Sequence, residues 1–118
     1  MADLVELEPA EVEAMLTRGD CVLVDVREPY EYGAERIPAA LLMPLATFDA
    51  KALPTMTDKK VVLQCGTGRR SAMAAQKMQQ AGYTETYHLK GGITAWREAK
   101  LPLLWVNPTT GAIEPKKY

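Results

Sequence analysis

The sequence predicts an α/β fold in which a parallel β-sheet is covered by helices on both faces. Two runs, at 21–26 and 61–64, are almost continuously apolar, which is typical of strands buried on both sides. Segments with helical periodicity alternate with such runs along the chain, as expected when crossover helices join parallel strands. With 118 residues, the chain suits one domain with one core.

Each element is predicted from its local sequence. Pro9 suits the first turn of a helix, and Val12, Met15 and Leu16 then share one face. Gly82 is placed to end the clearest helix, an alanine-rich stretch. In chain order the predicted elements are helix 9–16, strand 21–26, short helix 28–33, strand 40–43, helix 45–53, strand 61–64, helix 71–81, strand 86–89 and helix 94–100.

Composition and charge argue against several classes of partner. The net charge of −1 gives no basic field for nucleic acid or a membrane surface. No apolar run is long enough to span a bilayer, and the acidic N-terminal segment has no signal-peptide core, so we expect a cytoplasmic protein. The two cysteines fit a reducing compartment. The single histidine argues against a histidine metal site, and nothing in the sequence requires a cofactor.

Cys65 is the strongest candidate for a catalytic residue. It follows the apolar run at 61–64 and precedes a loop with two glycines and two arginines, which leads into a predicted helix. A thiol in that position faces backbone N–H groups, the positive end of a helix and fixed cations, which all favour the thiolate. Asp25, Cys65 and Lys90 also fall at carboxyl ends of predicted strands, where sites form in parallel sheets.

The residues after Cys65 are candidates for substrate binding. Gly66 and Gly68 permit positive φ, so that the loop can curl and aim N–H groups at an anion. Thr67 adds a hydroxyl at the mouth of the loop. Arg69 and Arg70 can attract an anionic substrate and lower the pKa of the thiol, although cations are unfavourable at the start of a helix.

Supporting roles are predicted for three residues near the loop. Ser71 is expected to cap the following helix, and Arg27 to pair with Glu31 four residues later. Asp25 is expected to accept hydrogen bonds from loop N–H groups. We expect His88 to be a satisfied or exposed histidine rather than a base, because a thiolate prepared by its loop needs none.

Three other residues have simpler expectations. Cys21 begins a strand at the opposite edge of the sheet from the candidate site, and is expected to belong to the core. Lys90 is expected to frame the site. Trp96 is expected to pack the last helix.

Three segments of the chain resemble single-domain rhodaneses. They are 24–32 continued by 37–40, the cysteine loop 65–71, and 91–96. The chain departs from the pattern at Glu35-Arg36, where the family has Gly-His, and at Ala39, where it has glycine. The resemblance implies a five-stranded parallel sheet flanked by helices. We expect the rhodanese-like domain to cover 1–104, followed by an extension, 105–118. For that extension the sequence leaves a hairpin and an extended tail open, with 116–118 frayed.

The resemblance also implies a chemistry. Single-domain rhodaneses are sulfurtransferases that move a sulfane sulfur from a donor such as thiosulfate to a thiophilic acceptor such as cyanide or a thiol. By resemblance, Cys65 carries the sulfur as a persulfide, without a metal or cofactor. The partners are then a small-molecule donor and acceptor, and a sulfur-accepting protein is compatible with this reaction. In the family, basic loop residues go with thiosulfate as donor and small uncharged ones with mercaptopyruvate; this loop has both, and we expect a thiosulfate sulfurtransferase.

Two other classes of function are weaker alternatives. Cysteine phosphatases place an arginine six residues after the nucleophile, whereas here Ser71 holds that position and Arg70 is one residue earlier. The loop is therefore short for phosphate, and arsenate reduction calls for a longer loop as well. The second alternative is a non-catalytic rhodanese-like regulatory or binding module. Such modules often lack the cysteine, which is present here.

Overall fold

The computed structural model describes residues 3–53 and 58–118, so residues 1–2 and 54–57 of the predicted domain lie outside it. The strands are β1 (Asp3–Leu7), β2 (Cys21–Asp25), β3 (Glu35–Arg36), β4 (Leu41–Leu42), β5 (Lys60–Gln64), β6 (Glu85–Leu89), β7 (Leu104–Val106) and β8 (Ile113–Pro115). The helices are α1 (Pro9–Arg18), α2 (Pro29–Ala34), α3 (Arg69–Gln80) and α4 (Gly92–Glu98).

Five of the strands form one parallel sheet in the order β1-β6-β5-β2-β4, which confirms the predicted sheet. β5 is central, with β6 and β2 as its neighbours. Asp25 and Gln64, the last residues of β2 and β5, are register partners. The residues that follow these two strands therefore emerge side by side at the carboxyl edge of the sheet.

Helices cover both faces of this sheet, as predicted. On one face α1 and α4 enclose a core with the inward residues of the central strands, and α3 with two 3₁₀ turns does so on the other face. Val62 belongs to the first core and Leu63 to the second, because successive side chains of a strand point to opposite faces. This explains why β5 is continuously apolar.

Three elements of the structure differ from the sequence prediction. β1 is a strand that the sequence analysis did not predict; Asp3 and Glu6 interrupt its apolar residues, and it lies at the edge of the sheet. Residues 45–53 form two 3₁₀ turns rather than one helix, because Phe48 is extended and Asp49 accepts a hydrogen bond from the Lys51 amide at the start of the second turn. α3 begins at Arg69, two residues earlier than predicted.

The C-terminal segment is a hairpin, not an extended tail. β7 and β8 pair antiparallel, and β7 also pairs with β3, which makes a separate three-stranded sheet. Glu35 of β3 forms ion pairs with Arg97 of α4 and with Lys116, at 2.7 Å in the latter case. The Tyr118 hydroxyl donates to the Leu101 carbonyl at 2.7 Å. Residues 116–118 are therefore held by contacts rather than frayed.

Candidate active site

The candidate site is the turn from Cys65 to Gly68, between the end of β5 and the start of α3. The amides of Ile93 and Thr94 donate to the carbonyls of Cys65 and Gly66 at 2.8 and 3.1 Å. The turn is thereby bonded to the first turn of α4, and Cys65 itself is buried.

Close packing against the turn requires glycine at position 92. Gly92 has φ +61°, and a Cβ built on it would lie 2.3 Å from the Cys65 carbonyl oxygen. Both the backbone conformation and the lack of space exclude a side chain there. Gly92 therefore allows the start of α4 to pack directly against the cysteine loop.

The Cys65 sulfur is surrounded by hydrogen-bond donors. The Gly68 amide donates to Sγ at 3.0 Å, and the Ser71 Oγ lies 3.6 Å from it. Burial raises the pKa of the Cys65 thiol, but the Ser71 hydroxyl and the backbone N–H groups of Ser71, Gly68 and Thr67 outweigh it and leave this pKa lowered. These donors stabilise the thiolate, as a nucleophilic cysteine requires.

The two loop glycines have different roles. Gly68 has φ +106° and is the N-cap of α3, so the loop turns into the helix through a left-handed residue. Gly66 does not have positive φ, contrary to the prediction for it. A Cβ built at Gly66 would lie 3.1 Å from an Arg70 guanidinium nitrogen, so this glycine leaves room for the arginine instead.

Arg70 lies beside the loop and is bound by Glu31 of α2. Its guanidinium donates to the two Glu31 carboxylate oxygens at 2.6 and 3.1 Å. The hydrogen bond from Arg70 lowers the pKa of Glu31 to about 2, so the bridge is ionic at neutral pH. Arg69 is exposed, and Thr67 is exposed at the mouth of the loop. Cations are unfavourable in the first turn of α3, where Arg69 and Arg70 lie. The Glu31 carboxylate and a thiolate at Cys65 offset this cost.

The prediction that Arg27 pairs with Glu31 is wrong. α2 begins only at Pro29, so Arg27 and Glu31 are not on one helix, and Arg27 folds back onto Asp25. Asp25 accepts the Arg27 backbone amide at 2.9 Å and its guanidinium at 2.8 Å, rather than loop N–H groups as predicted. Arg27 also donates to the Glu35 carbonyl at 2.6 Å. This buried pair connects the end of β2 to β3, and supports the segment that carries Glu31.

Ser71 does not cap α3, because the helix starts at Arg69 and Ser71 occupies its third position. Its Oγ lies 3.1 Å from the Gly68 carbonyl and 2.8 Å from Nδ1 of His88. His88 is buried, and its Nε2 lies 3.1 Å from Oε2 of Glu6. His88 is thus a satisfied histidine, as expected, but its partners connect it to the candidate nucleophile.

The sequence analysis missed the position of Glu6 and His88 at the site. The two residues are register partners in β1 and β6. Recognition of β1 as a strand is the signal that would have placed them together, because paired residues of parallel strands present their side chains on one face.

The remaining candidates lie away from the sulfur. Cys21 is buried in the core at the amino edge of the sheet, as predicted. Lys90 pairs with Glu8 at 3.4 Å, so its side chain is directed to the start of α1 rather than to the loop. Trp96 is buried and packs α4, as predicted.

The described part of the chain contains no group of three or more His, Cys, Asp and Glu side chains arranged to hold a metal ion. Within the same residues, no helix has the length and apolarity needed to cross a membrane.

Together these features define an α/β protein with a cysteine-centred, N–H-rich loop at the carboxyl edge of a parallel sheet. A family model described as "Rhodanese-like domain" matches residues 8–99. The chain therefore belongs to the rhodanese-like sulfurtransferase family, as its sequence motifs predict. The C-terminal hairpin lies beyond the matched residues.

The relatives of the chain include a sulfurtransferase and a longer protein with a different activity. The chain is 36% identical to a sulfurtransferase from Allochromatium vinosum, over 72% of the chain and 79% of that protein. It is 38% identical to the tRNA uridine(34) hydroxylase of Cronobacter sakazakii, over 85% of the chain but 32% of that protein. The crystal structure of a thiosulfate sulfurtransferase from Pseudomonas aeruginosa matches with a TM-score of 0.74 and 27% identity, over 85% of this chain and 20% of that one. Several curated relatives are longer proteins, of which the chain spans between 31% and 55%.

Proposed function

We propose that the chain is a thiosulfate sulfurtransferase that carries a sulfane sulfur as a persulfide on Cys65. The observation that supports this most directly is the Cys65 thiol, whose pKa is lowered by the hydroxyl and backbone donors around it despite its burial. A sulfurtransferase needs a nucleophilic sulfur, and donors that lower the pKa of the Cys65 thiol favour its nucleophilic, anionic form.

In the proposed reaction the Cys65 thiolate attacks the outer sulfur of thiosulfate. The S–S bond of thiosulfate breaks, sulfite leaves with the electron pair, and a persulfide anion remains on Cys65. Cyanide or a thiolate then attacks the outer sulfur, and the Cys65 thiolate is restored. Charge is conserved in both steps, and neither needs a metal, an oxidant or a cofactor. The loop N–H groups would stabilise the negative charge on the persulfide.

The two arginine side chains beside the loop support the proposal that the sulfur donor is an anion. Arg69 is exposed beside the mouth of the loop, and Arg70 lies above Gly66. Arg70 is engaged by Glu31, so thiosulfate would compete with this carboxylate for the guanidinium. The proposal places the reaction in the cytoplasm, with small-molecule donors and acceptors or a sulfur-accepting protein, and with no nucleic acid or membrane as partner.

The alternatives have less support. A phosphatase or an arsenate reductase would need a longer loop, and here Arg70, five residues after Cys65, is also engaged by Glu31. A pure binding module would not need a thiol with a lowered pKa. The hydroxylase activity of the longer relatives is not carried over, because the chain spans 32% of the Cronobacter protein.

Mass spectrometry after thiosulfate treatment tests the proposal. We expect one added sulfur atom on the peptide that contains Cys65, and its loss on treatment with cyanide as thiocyanate forms. Cys21 serves as an internal control, because its peptide should stay unmodified. Absence of the adduct on Cys65, or thiocyanate formation without it, would refute the proposal.

A further inference from the structure

Four side chains form a continuous chain of polar contacts from the buried sulfur toward solvent. Cys65 Sγ lies 3.6 Å from Ser71 Oγ, which lies 2.8 Å from His88 Nδ1. His88 Nε2 lies 3.1 Å from the Glu6 carboxylate. The His88 side chain is only 4% exposed, whereas that of Glu6 is 54% exposed. The histidine is therefore held between a serine on the site side and a carboxylate on the outer side.

The Ser71 Oγ also lies 3.1 Å from the Gly68 carbonyl; with its hydroxyl turned away from that carbonyl, two complete hydrogen-bond arrangements are possible along this chain. With a neutral thiol, the S–H donates to Ser71 Oγ, the Ser71 hydroxyl donates to Nδ1, and Nε2–H donates to Glu6. With a thiolate, Nδ1–H of an imidazolium donates to Ser71 Oγ, and the Ser71 hydroxyl donates to the sulfur. The two differ by movement of the thiol proton to Ser71 and of the Ser71 proton to Nδ1. In both, each group between Cys65 and Glu6 has a partner.

We propose that His88, oriented by Glu6, is a positioning residue that holds the proton of Cys65 through the Ser71 hydroxyl and so keeps the sulfur as a thiolate. This inference rests on the proposed role of Cys65 in sulfur transfer. Moving a proton from Cys65 to His88 through Ser71 leaves the net charge of these side chains unchanged. It also places a cation near the thiolate. Burial disfavours an isolated thiolate, so a pair formed within this set of side chains would add to the stabilisation that the loop donors already supply.

The charged groups around His88 fit this assignment. Glu6 approaches it from β1, and Cys65 at the end of β5 is reached through Ser71 of α3. Arg70, in the first turn of α3, is directed to Glu31. Lys90, at the end of β6, is directed to Glu8. Glu6 is thus the carboxylate in contact with His88, whereas these two cations are directed to their own partners.

The pH dependence of Cys65 alkylation tests the relay. In a Cys21→Ser background, we expect His88→Asn to lower the rate of reaction with iodoacetamide at neutral pH by about tenfold, with a midpoint about one pH unit higher. Asparagine keeps an amide near Ser71 but cannot hold a proton. Ser71→Ala should have a similar effect, and the double variant little more, because both substitutions interrupt one chain. Tyr87→Phe, which removes a surface hydroxyl from the same strand, is the matched control and should change nothing.

An unchanged midpoint in a folded His88→Asn protein would overturn the proposal, as would an equal shift in Tyr87→Phe. A second measurement needs no variant of the relay. The ¹⁵N chemical shifts of His88 in the wild type should report an imidazolium while Cys65 is a thiolate, and a neutral ring after alkylation of Cys65. Shifts that alkylation leaves unaffected would also overturn it. Neither readout uses a sulfur donor, so failure of the relay can be distinguished from failure of thiosulfate turnover, which tests the proposed function.

Discussion

Cys21 and Cys65 are both buried beside neighbouring strands of one sheet, yet the pKa values of their thiols shift in opposite directions. Burial and the nearby Asp20 carboxylate raise the pKa of Cys21. Burial also raises the pKa of Cys65, but the loop donors reverse it. Cys21 starts β2, whereas Cys65 follows the end of β5, at the edge where the loop and the start of α3 supply N–H groups. Burial alone raises the pKa of a thiol, and the donors around the Cys65 sulfur reverse that shift.

The largest expected effect comes from exchanging the two thiols for hydroxyls one at a time. Cys65→Ser should abolish thiocyanate formation from thiosulfate and cyanide, because a serine cannot carry the sulfane sulfur, and should leave the circular dichroism spectrum unchanged. Cys21→Ser should keep the activity. Activity retained in Cys65→Ser, or lost in a folded Cys21→Ser, would remove the distinction between the two cysteines.

Gly92→Ala should disrupt the loop that distinguishes Cys65. The added methyl would meet the Cys65 carbonyl oxygen at 2.3 Å, and alanine is strained at φ +61°. We expect a loss of about 2–4 kcal/mol in the free energy of unfolding, measured by urea denaturation, together with slower alkylation of Cys65. Gly111→Ala is the control, because it has a similar φ of +75° but open space around it. It should cost only about 1 kcal/mol. Equal losses in both variants would show that the contact with Cys65 is unimportant.

Substitutions in the Arg70–Glu31 salt bridge beside the loop should affect the binding of thiosulfate. Arg70→Ala should raise the KM for thiosulfate by about tenfold, the value of one charge-assisted hydrogen bond. Glu31→Gln should instead lower this KM, because it removes the carboxylate that competes for Arg70. Steady-state kinetics with cyanide as acceptor measures both. Arg18→Ala, which removes an exposed arginine paired with Asp20, is the control. A KM unaffected by either site variant would exclude Arg70 from donor binding.

The smallest expected effect is on the pH dependence of stability, where the two cysteines should act with opposite signs. A folded-state pKa raised above the unfolded value of 9.0 means that Cys21 stabilises the fold below that pH and loses this contribution as the pH rises. The folded-state pKa of Cys65 is lowered, so its contribution grows as the pH rises toward 9.0.

Urea unfolding of the wild type and the two serine variants across this pH range checks the prediction. Relative to Cys21→Ser, the wild type should lose stability above about pH 9. Relative to Cys65→Ser, it should gain stability as the pH rises toward that value. Slopes of the same sign would contradict the opposite pKa shifts.

The sequence predicts the sheet and the position of Cys65 well, because both depend on strong local patterns. Continuous apolar runs identify β2 and β5, and the glycines after Cys65 identify the turn. β1 was missed because an edge strand needs no continuous apolar run, and its two acidic residues, Asp3 and Glu6, are exposed.

The side-chain partners at the site were harder to predict, because they depend on where the elements begin. Arg27 was assigned to Glu31 by helical spacing, but the helix starts after Arg27. Ser71 was assigned as a cap, but α3 starts two residues earlier, and its hydroxyl is directed into the site. The Glu6–His88 contact joins residues 82 positions apart, and local sequence carries no signal for it.

That separation has a consequence for how the protein is made. During synthesis, Cys65 is translated before Ile93 and Thr94, which fix its loop, and before His88, which pairs with a strand near the start of the chain. Contacts so distant in sequence form only after most of the chain-ordering entropy has been lost. The Cys65 thiol of a nascent chain therefore lacks the loop and histidine contacts of the folded protein until the first and last strands of the parallel sheet have come together.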